Sequence, residues 1–297
     1  MNKVLVFGGE GLIGSRFIEL NKKRFDIQTP LACEVDFLKD DQLEKAVKSS
    51  DASIIINFVA YTNVDEAEKE KDNKDGVVYK LNVGSTERLT QACKETGKYL
   101  IHISTDYVFD GKQEDRPYTE EDIPNPLSWY AQTKYLAEQV VTERGDKFAI
   151  VRFELPFRSH YEIKKDIARF FVEQLQQNKQ ITAITDQKIT PLFIDDGAMA
   201  LGEIAENQSQ GVYHVVCSDS TTTFDFVKLI AEKFGLDQNL IKPTAYDEYS
   251  KTRTAQRPHY SWMDTTKFRK QFGEGILHTI SESLDIFKQQ IDEKSSN

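Results

Sequence analysis

Val4-Leu5-Val6-Phe7-Gly8-Gly9-Glu10-Gly11-Leu12-Ile13-Gly14 is the stretch that decides the fold. The apolar run Val4 to Phe7 reads as a buried strand, the glycines as a tight turn, and a helical pattern begins at about Leu12. Strand, glycine turn and helix in this order suit a phosphate. Glycines let backbone N–H groups approach an anion at a helix amino terminus, where unpaired donors and the helix dipole favour negative charge. Two templates fit. Gly9, Gly11 and Gly14 satisfy G-x-G-x-x-G, and Gly8, Gly11 and Gly14 satisfy G-x-x-G-x-x-G.

Working outward, a second strand is expected near Phe25 to Gln28. It does not end in the acidic residue that would accept a ribose 2′-hydroxyl, nor does an arginine follow it to hold a 2′-phosphate, so NADH and NADPH both remain open. Asp36, before a helix expected from about Asp40 to Lys48, is either a contact at the adenine end or a surface carboxylate. Ser53 to Asn57 and Lys147 to Arg152 read as strands of a buried parallel sheet, and so does Tyr99 to Ser104. A long helix is expected from Val77 to Thr96, with Leu81, Leu89, Ala92 and Cys93 inward. This βαβ alternation predicts the α/β class and a doubly wound parallel sheet.

The remainder changes character. Expected there are a helix from Ile163 to Asn178, a strand at Ile181 to Ile184, a helix opening near Asp195-Asp196 and a strand at Gly211 to Val216. A helix from Phe224 to Phe234 follows. A last one carries Leu277, Ile280, Leu284, Phe287 and Ile291 at spacings of three and four, before a frayed tail at Asp292 to Asn297.

A formal net charge of −10 argues against a nucleic-acid surface, and any anionic ligand must be held by local devices. Three cysteines far apart in the 297 residues suit a reducing compartment, and the five histidines show no metal-ligand spacing, so no metal is expected. The amino terminus runs directly into a strand pattern, and no apolar run approaches the ~18 to 20 residues of a membrane span. A cytoplasmic protein without membrane partners is the expectation.

The chemistry is concentrated in Ser128-Trp129-Tyr130-Ala131-Gln132-Thr133-Lys134. Tyr130 and Lys134 are four apart, on one face of a helix, and an ammonium near a phenol favours the phenolate, lowering its pKa from ~10. Ser104-Thr105-Asp106 stands at the carboxyl end of a strand, where open α/β sheets bind ligands. A hydroxyl there can hydrogen-bond a carbonyl that Tyr130 protonates, Thr105 being the first candidate and Ser104 the second.

Gly8-x-x-Gly11-x-x-Gly14, Asn57 to Glu68, Ser104 to Gly111 and Tyr130-x-x-x-Lys134 together resemble the extended short-chain dehydrogenase/reductase family. The blocks Ala60-Tyr61-Thr62-Asn63-Val64-Asp65-Glu66-Ala67-Glu68 and Ser104-Thr105-Asp106-Tyr107-Val108-Phe109-Asp110-Gly111 are most similar to its dTDP-4-dehydrorhamnose reductase branch. The resemblance implies a Rossmann-like NAD(P)-binding domain over residues 1–155, completed near 190–217, and a smaller, discontinuous substrate-binding domain at 156–189 and 218–297. It implies that Gly8, Gly11, Leu12, Ile13 and Gly14 hold the pyrophosphate, that Asp36 and Phe37 lie near adenine, and that Phe58, Val59, Ala60 and Tyr61 line the cofactor groove. Lys134 would also bind the nicotinamide ribose. Thr105, Tyr130 and Lys134 would be catalytic. Val64, Thr105, Asp106, Phe109 and Tyr130 would meet a nucleotide-sugar substrate whose C4 ketone is reduced by NAD(P)H, in a monomer or homodimer.

The chain departs from the branch at Phe58-Val59, at Phe153-Glu154-Leu155-Pro156-Phe157 and at Lys188-Ile189-Thr190-Pro191-Leu192, all where sugar or nicotinamide should bind. A sugar-nucleotide dehydratase or epimerase would share Tyr130 and Lys134, but a dehydratase carries Asp-Glu after its Thr, where Asp106-Tyr107 stands here. A non-catalytic cofactor-binding subunit, like the β subunit of methionine adenosyltransferase, is the alternative from another class.

Overall fold

The computed structural model describes residues 1–39 and 41–295. Strands β1 (Lys3–Phe7), β2 (Asp26–Gln28), β3 (Ile54–Asn57), β4 (Tyr99–Thr105) and β5 (Phe148–Phe153) alternate with helices α1 (Gly14–Asn21), α2 (Gln42–Ser49), α3 (Val64–Ala67), α4 (Val77–Tyr79), α5 (Ser85–Thr96) and α6 (Trp129–Arg144). After them come α7 (Ile167–Gln176), β6 (Ile181–Ile184), α8 (Ile194–Asn207), β7 (Gly211–His214), α9 (Thr223–Phe234), β8 (Ile241–Thr244), α10 (Tyr246–Ser250), α11 (Thr266–Phe272) and α12 (Ile280–Ser295).

Six strands form one parallel sheet in the order β2-β1-β3-β4-β5-β7. Both faces are apolar because side chains alternate along each strand. Val4, Val6, Ile54, Ile56, Ile101 and Val151 pack with Phe17 of α1 and Leu201 and Ile204 of α8. Leu5, Phe7, Ile55, Leu100 and Ile150 pack instead with Leu43 and Val47 of α2, Leu89 and Cys93 of α5 and Val141 of α6. Each such aliphatic side chain contributes about 1.5–3 kcal/mol relative to exposure. The strand order reverses at β1, between β2 and β3, so a crevice opens beyond the carboxyl ends of β1 and β3, where the glycine turn sits.

A separate two-stranded parallel sheet pairs β6 with β8, Ile181 opposite Ile241. With α7, α9 and α12 it encloses a second apolar cluster that includes Phe157, Phe171, Phe226, Ile230, Leu284 and Phe287.

The structure moves several expected boundaries. The first helix starts at Gly14 because Gly11 to Gly14 are used in the turn, Gly11 N donating to Gly8 O at 3.0 Å. The expected start of the next helix at Asp40 lies outside the described residues. The expected helix from Val77 to Thr96 exists but contains a π-helical turn at Lys80–Gly84. The helix expected from Ile163 begins only at Ile167, where the Asp166 side chain accepts from Arg169 N as its cap. The tail expected to fray from Asp292 is helical as far as Ser295; Ser296 and Asn297 lie outside the described residues. Among the described residues no helix is long and apolar enough to cross a membrane.

Candidate active site

The turn after β1 is closed by its glycines. Gly8 has φ +76°, a conformation glycine adopts without strain, and a Cβ on Gly14 would stand 2.4 Å from the Gly8 carbonyl oxygen. A Cβ on Gly9 would meet the Thr29 hydroxyl at 2.2 Å, a side-chain atom, so the backbone requirement falls on Gly8 and Gly14 and the tight packing on Gly9. The turn therefore keeps a bare backbone cradle at the amino end of α1, with Leu12 and Ile13 at its lip, and these residues fit a diphosphate. The Phe58 Cβ lies 3.1 Å from the position of a Gly8 Cβ, which brings the segment after β3 against the turn. That segment is held by side-chain amides: Val59 N donates to Asn57 Oδ1 at 3.0 Å and Tyr61 N to Asn82 Oδ1 at 2.8 Å. Ala60 lies between these two anchored residues. Asn82 belongs to the π-helical turn and also donates to Thr133 Oγ1 of α6 at 2.9 Å.

At the other end of the crevice, Glu10 turns its carboxylate to accept from Ala32 N at 3.1 Å. Asp36 accepts from Leu38 N at 2.9 Å, a loop-capping contact. Phe37, expected near adenine, lies just after Asp36. The residue is 5% exposed and its ring packs edge-on to Phe7, 5.2 Å between centroids, as part of the core.

Ser128 caps α6, its Oγ accepting from Ala131 N, and the next two turns carry Tyr130 and Lys134 into the sheet's carboxyl edge. Lys134 is 4% exposed and donates from Nζ to the Ile103 carbonyl at 2.6 Å. Thr105 ends β4, its hydroxyl donating to Asp106 Oδ1 at 2.8 Å and lying close enough to the Tyr130 phenol to favour the phenolate. The structure thus brings Thr105, Tyr130 and Lys134 together, whereas Ser104 is buried and its hydroxyl has no partner among the described residues.

The electrostatics differ from the sequence expectation. Burial raises the Tyr130 phenol above its ordinary value, and Asp106 raises it further, against the smaller opposing effect of the Thr105 hydroxyl. Lys134 is itself lowered to about 8 by burial, partly offset by Glu138. Burial therefore governs the phenol, and the expected lowering by the amine is not among the effects acting on it.

Beside Thr105 opens a cavity of about 580 Å³ that begins at Asp106, Tyr107 and Glu154 and runs between the two sheets to Arg253 and Arg257. Ile184 and Phe171 form part of its apolar wall. Glu154 is 1% exposed. Its carboxylate accepts from Thr190 N at 2.8 Å, from Thr190 Oγ1 at 2.6 Å and from the Ser261 hydroxyl. Asp106 is 2% exposed and its Oδ2 has no partner among the described residues. Burial raises both carboxyls, Glu154 to about 6, and the Glu154 charge raises Asp106 further. Arg257 forms a two-pronged pair with Asp65, whose carboxyl is held down at about 2 by that guanidinium.

Phe109, expected to meet the substrate, is part of the core. It is fully buried, stacked on Tyr118 at 4.1 Å, and does not reach the cavity. Val64 packs in a small cluster with Tyr61, Tyr107 and Trp129, outside the cavity wall. Among the described residues no group of three His, Cys, Asp or Glu side chains could hold a metal.

Sequence reasoning assigned no role to Glu154 or Asn82. The only signal for Glu154 was its departure from the branch pattern, and Asn82 stood in an apparently ordinary helix.

The RmlD substrate binding domain family model matches residues 1–289. The dTDP-4-dehydrorhamnose reductase of Escherichia coli K12 is 31% identical over 283 residues, 91% of each chain. Methionine adenosyltransferase 2 subunit beta of Mus musculus is 27% identical, covering 94% of this chain and 87% of its own. Among solved structures, dTDP-4-dehydrorhamnose reductase from Bacillus anthracis in complex with NADP superposes with a TM-score of 0.88 at 27% identity, covering 98% of this chain and 100% of that one.

Proposed function

The chain belongs to the RmlD substrate binding domain family, and from that premise we propose that it is an NAD(P)H-dependent reductase of the C4 ketone of a nucleotide-activated 4-keto-6-deoxy sugar, in the manner of dTDP-4-dehydrorhamnose reductase. The observation that carries this reading is the placing of Thr105 at the end of β4 close to the Tyr130 phenol, one helical turn from buried Lys134 and next to the cavity that begins at Asp106.

Gly8, Gly11, Leu12, Ile13 and Gly14 hold the cofactor diphosphate. Asp36 lies toward adenine, Phe58 to Tyr61 form the groove wall, and Lys134 reaches the nicotinamide ribose with the N–H groups that Ile103 leaves free. The cofactor supplies a hydride to C4. Tyr130 supplies the proton: a phenol raised by burial stays protonated through neutral pH, the form reduction needs. The Thr105 hydroxyl orients the carbonyl oxygen toward the phenol and stabilises the charge developing on it. Lys134, about 8 in the folded protein, is largely protonated at neutral pH and places a positive charge beside the reacting oxygen.

Asp106 faces the sugar, while Arg253 and Arg257 stand at the far end of the cavity, where a nucleoside diphosphate carries its charge. In this reading residues 1–155 with the segments near 190–217 are the cofactor-binding domain, and 156–189 with 218–297 the substrate-binding domain. The protein works in the cytoplasm as a monomer or homodimer.

Mixing it with NADH or NADPH and a panel of 4-keto-6-deoxy sugars on different nucleotides, and following the loss of nicotinamide fluorescence, tests the reading. Turnover of at least one panel member is expected. Tight binding across the panel with no turnover would rule the reductase out.

A further inference from the structure

Arg158 leaves the end of β5 through Phe157 and is 7% exposed. Its guanidinium reaches over the glycine turn, Nη1 donating to the Leu12 carbonyl at 3.0 Å and to the Ser15 hydroxyl at 2.9 Å. Both acceptors are neutral. The nearest carboxylate, Glu19, is 3.5 Å away and makes a closer pair with Arg16 at 2.6 Å. The other acids nearby are also engaged, Asp195 by Arg16 at 2.6 Å and Asp166 by Arg169 at 2.7 Å. Burial and the neighbouring Arg16 both weigh against the Arg158 charge and lower its pKa.

A buried guanidinium whose one carboxylate partner is long and shared with another arginine is costly, and this one lies over the amino end of α1, whose backbone adds further positive potential. Tyr161, three residues on, donates from its hydroxyl to the Glu10 carbonyl at 2.8 Å, so the segment spans the turn from Glu10 to Ser15. The place is short of one thing, an anion.

We propose that Arg158 is a ligand of the dinucleotide's diphosphate, delivered over the glycine turn by the segment leaving β5, so that the half of the molecule holding the sugar cavity completes the cofactor site. This rests on the dinucleotide reading above and adds to it a cation that the glycine turn lacks. The diphosphate is favoured over a 2′-phosphate because Arg158 contacts Leu12 and Ser15, whereas the loop after β2 lies beside Glu10.

The test is a set of dissociation constants, by fluorescence for NADH and NADPH and by competition for ADP-ribose and AMP, on the wild type, Arg158→Met and Arg158→Lys. Arg158→Met should weaken NADH, NADPH and ADP-ribose by a common factor of roughly 10 to 100, the range of a charged hydrogen bond. Arg158→Lys, which keeps the charge without the fork and guards against misfolding of the first variant, should fall between. AMP, reaching only the adenosine end, should change less than about threefold on the same scale. Unchanged NADH affinity in both variants overturns the proposal, and so does weakening confined to NADPH, which would place Arg158 at the 2′-phosphate. Equal weakening of AMP and ADP-ribose overturns it too, marking a general loosening of the turn. A wild-type protein that binds no dinucleotide overturns the functional reading itself.

Discussion

Tyr130 is 9% exposed and stays protonated at neutral pH, with the Tyr107 ring edge-on at 6.2 Å. Tyr130→Phe removes one oxygen from a packed site, so the fold and cofactor affinity should hold while kcat falls by roughly 10² to 10⁴, the usual range for losing a general acid. Steady-state kinetics beside cofactor titration checks this, and near-normal turnover would remove the phenol from the mechanism. Glu154 gives a pH signature. Its carboxyl rises from an ordinary 4.5 to about 6 on folding, so between those values the native state binds more protons than the unfolded state. Stability therefore falls as pH rises through that window, by about 2 kcal/mol, and Asp106 adds to the slope in the same direction. Glu154→Gln should lose most of that slope, readable from urea midpoints at pH 4.5 and 6.5. Glu10 bears on cofactor choice: its carboxylate faces the loop after β2 and would repel a 2′-phosphate. The expectation is NADH over NADPH, with Glu10→Gln narrowing the ratio of the two KM values; an NADPH preference in the wild type would refute it. At this scale the sequence made Tyr130 and Lys134 legible because the helical period alone puts them on one face. The raised phenol was not legible, since desolvation belongs to the packed state.

Helix α6 buries Thr133, Lys134 and Glu138 along with its apolar residues, which no amphipathic pattern announces. Glu138 makes such a helix tolerable. Its two oxygens take the Arg152 guanidinium at 2.9 and 2.6 Å, with both side chains under 5% exposed, locking α6 to β5 two turns below Tyr130. Removing one partner leaves a buried charge, so Glu138→Ala should cost roughly 3–5 kcal/mol, whereas the double change Glu138→Leu with Arg152→Met should recover much of it. Chemical denaturation of the wild type and the two variants measures this, and equal losses in the single and double variants would argue against the pair. Elements were legible where local composition decides them, as in the β-branched runs of β1 and β3. β8 was not expected, since Pro243 interrupts its pattern and its partner β6 lies 60 residues earlier. The π-helical turn at Lys80–Gly84 was equally hidden, because its cause is the tertiary hydrogen bonding of Asn82 to Tyr61 and Thr133.

Across the whole molecule the alternation of strands and helices made the sheet legible. The cavity was not, because its walls come from segments as far apart as Asp106, Glu154, Ile184 and Arg257. The −10 net charge sets a last expectation. A dinucleotide approaching such a molecule is repelled at distances where only the overall charge is felt, and attracted only once it reaches the α1 amino end and Arg158. Raising ionic strength from 0.01 M to 0.15 M shortens the screening length from about 30 Å to about 8 Å, which removes most of the long-range repulsion and spares the short contacts. The association rate constant for NADH, measured by stopped-flow fluorescence, should therefore rise about two- to fivefold over that range, with the dissociation rate nearly constant. A falling association rate would mean instead that the crevice focuses enough positive potential to steer anions inward against the charge of the whole.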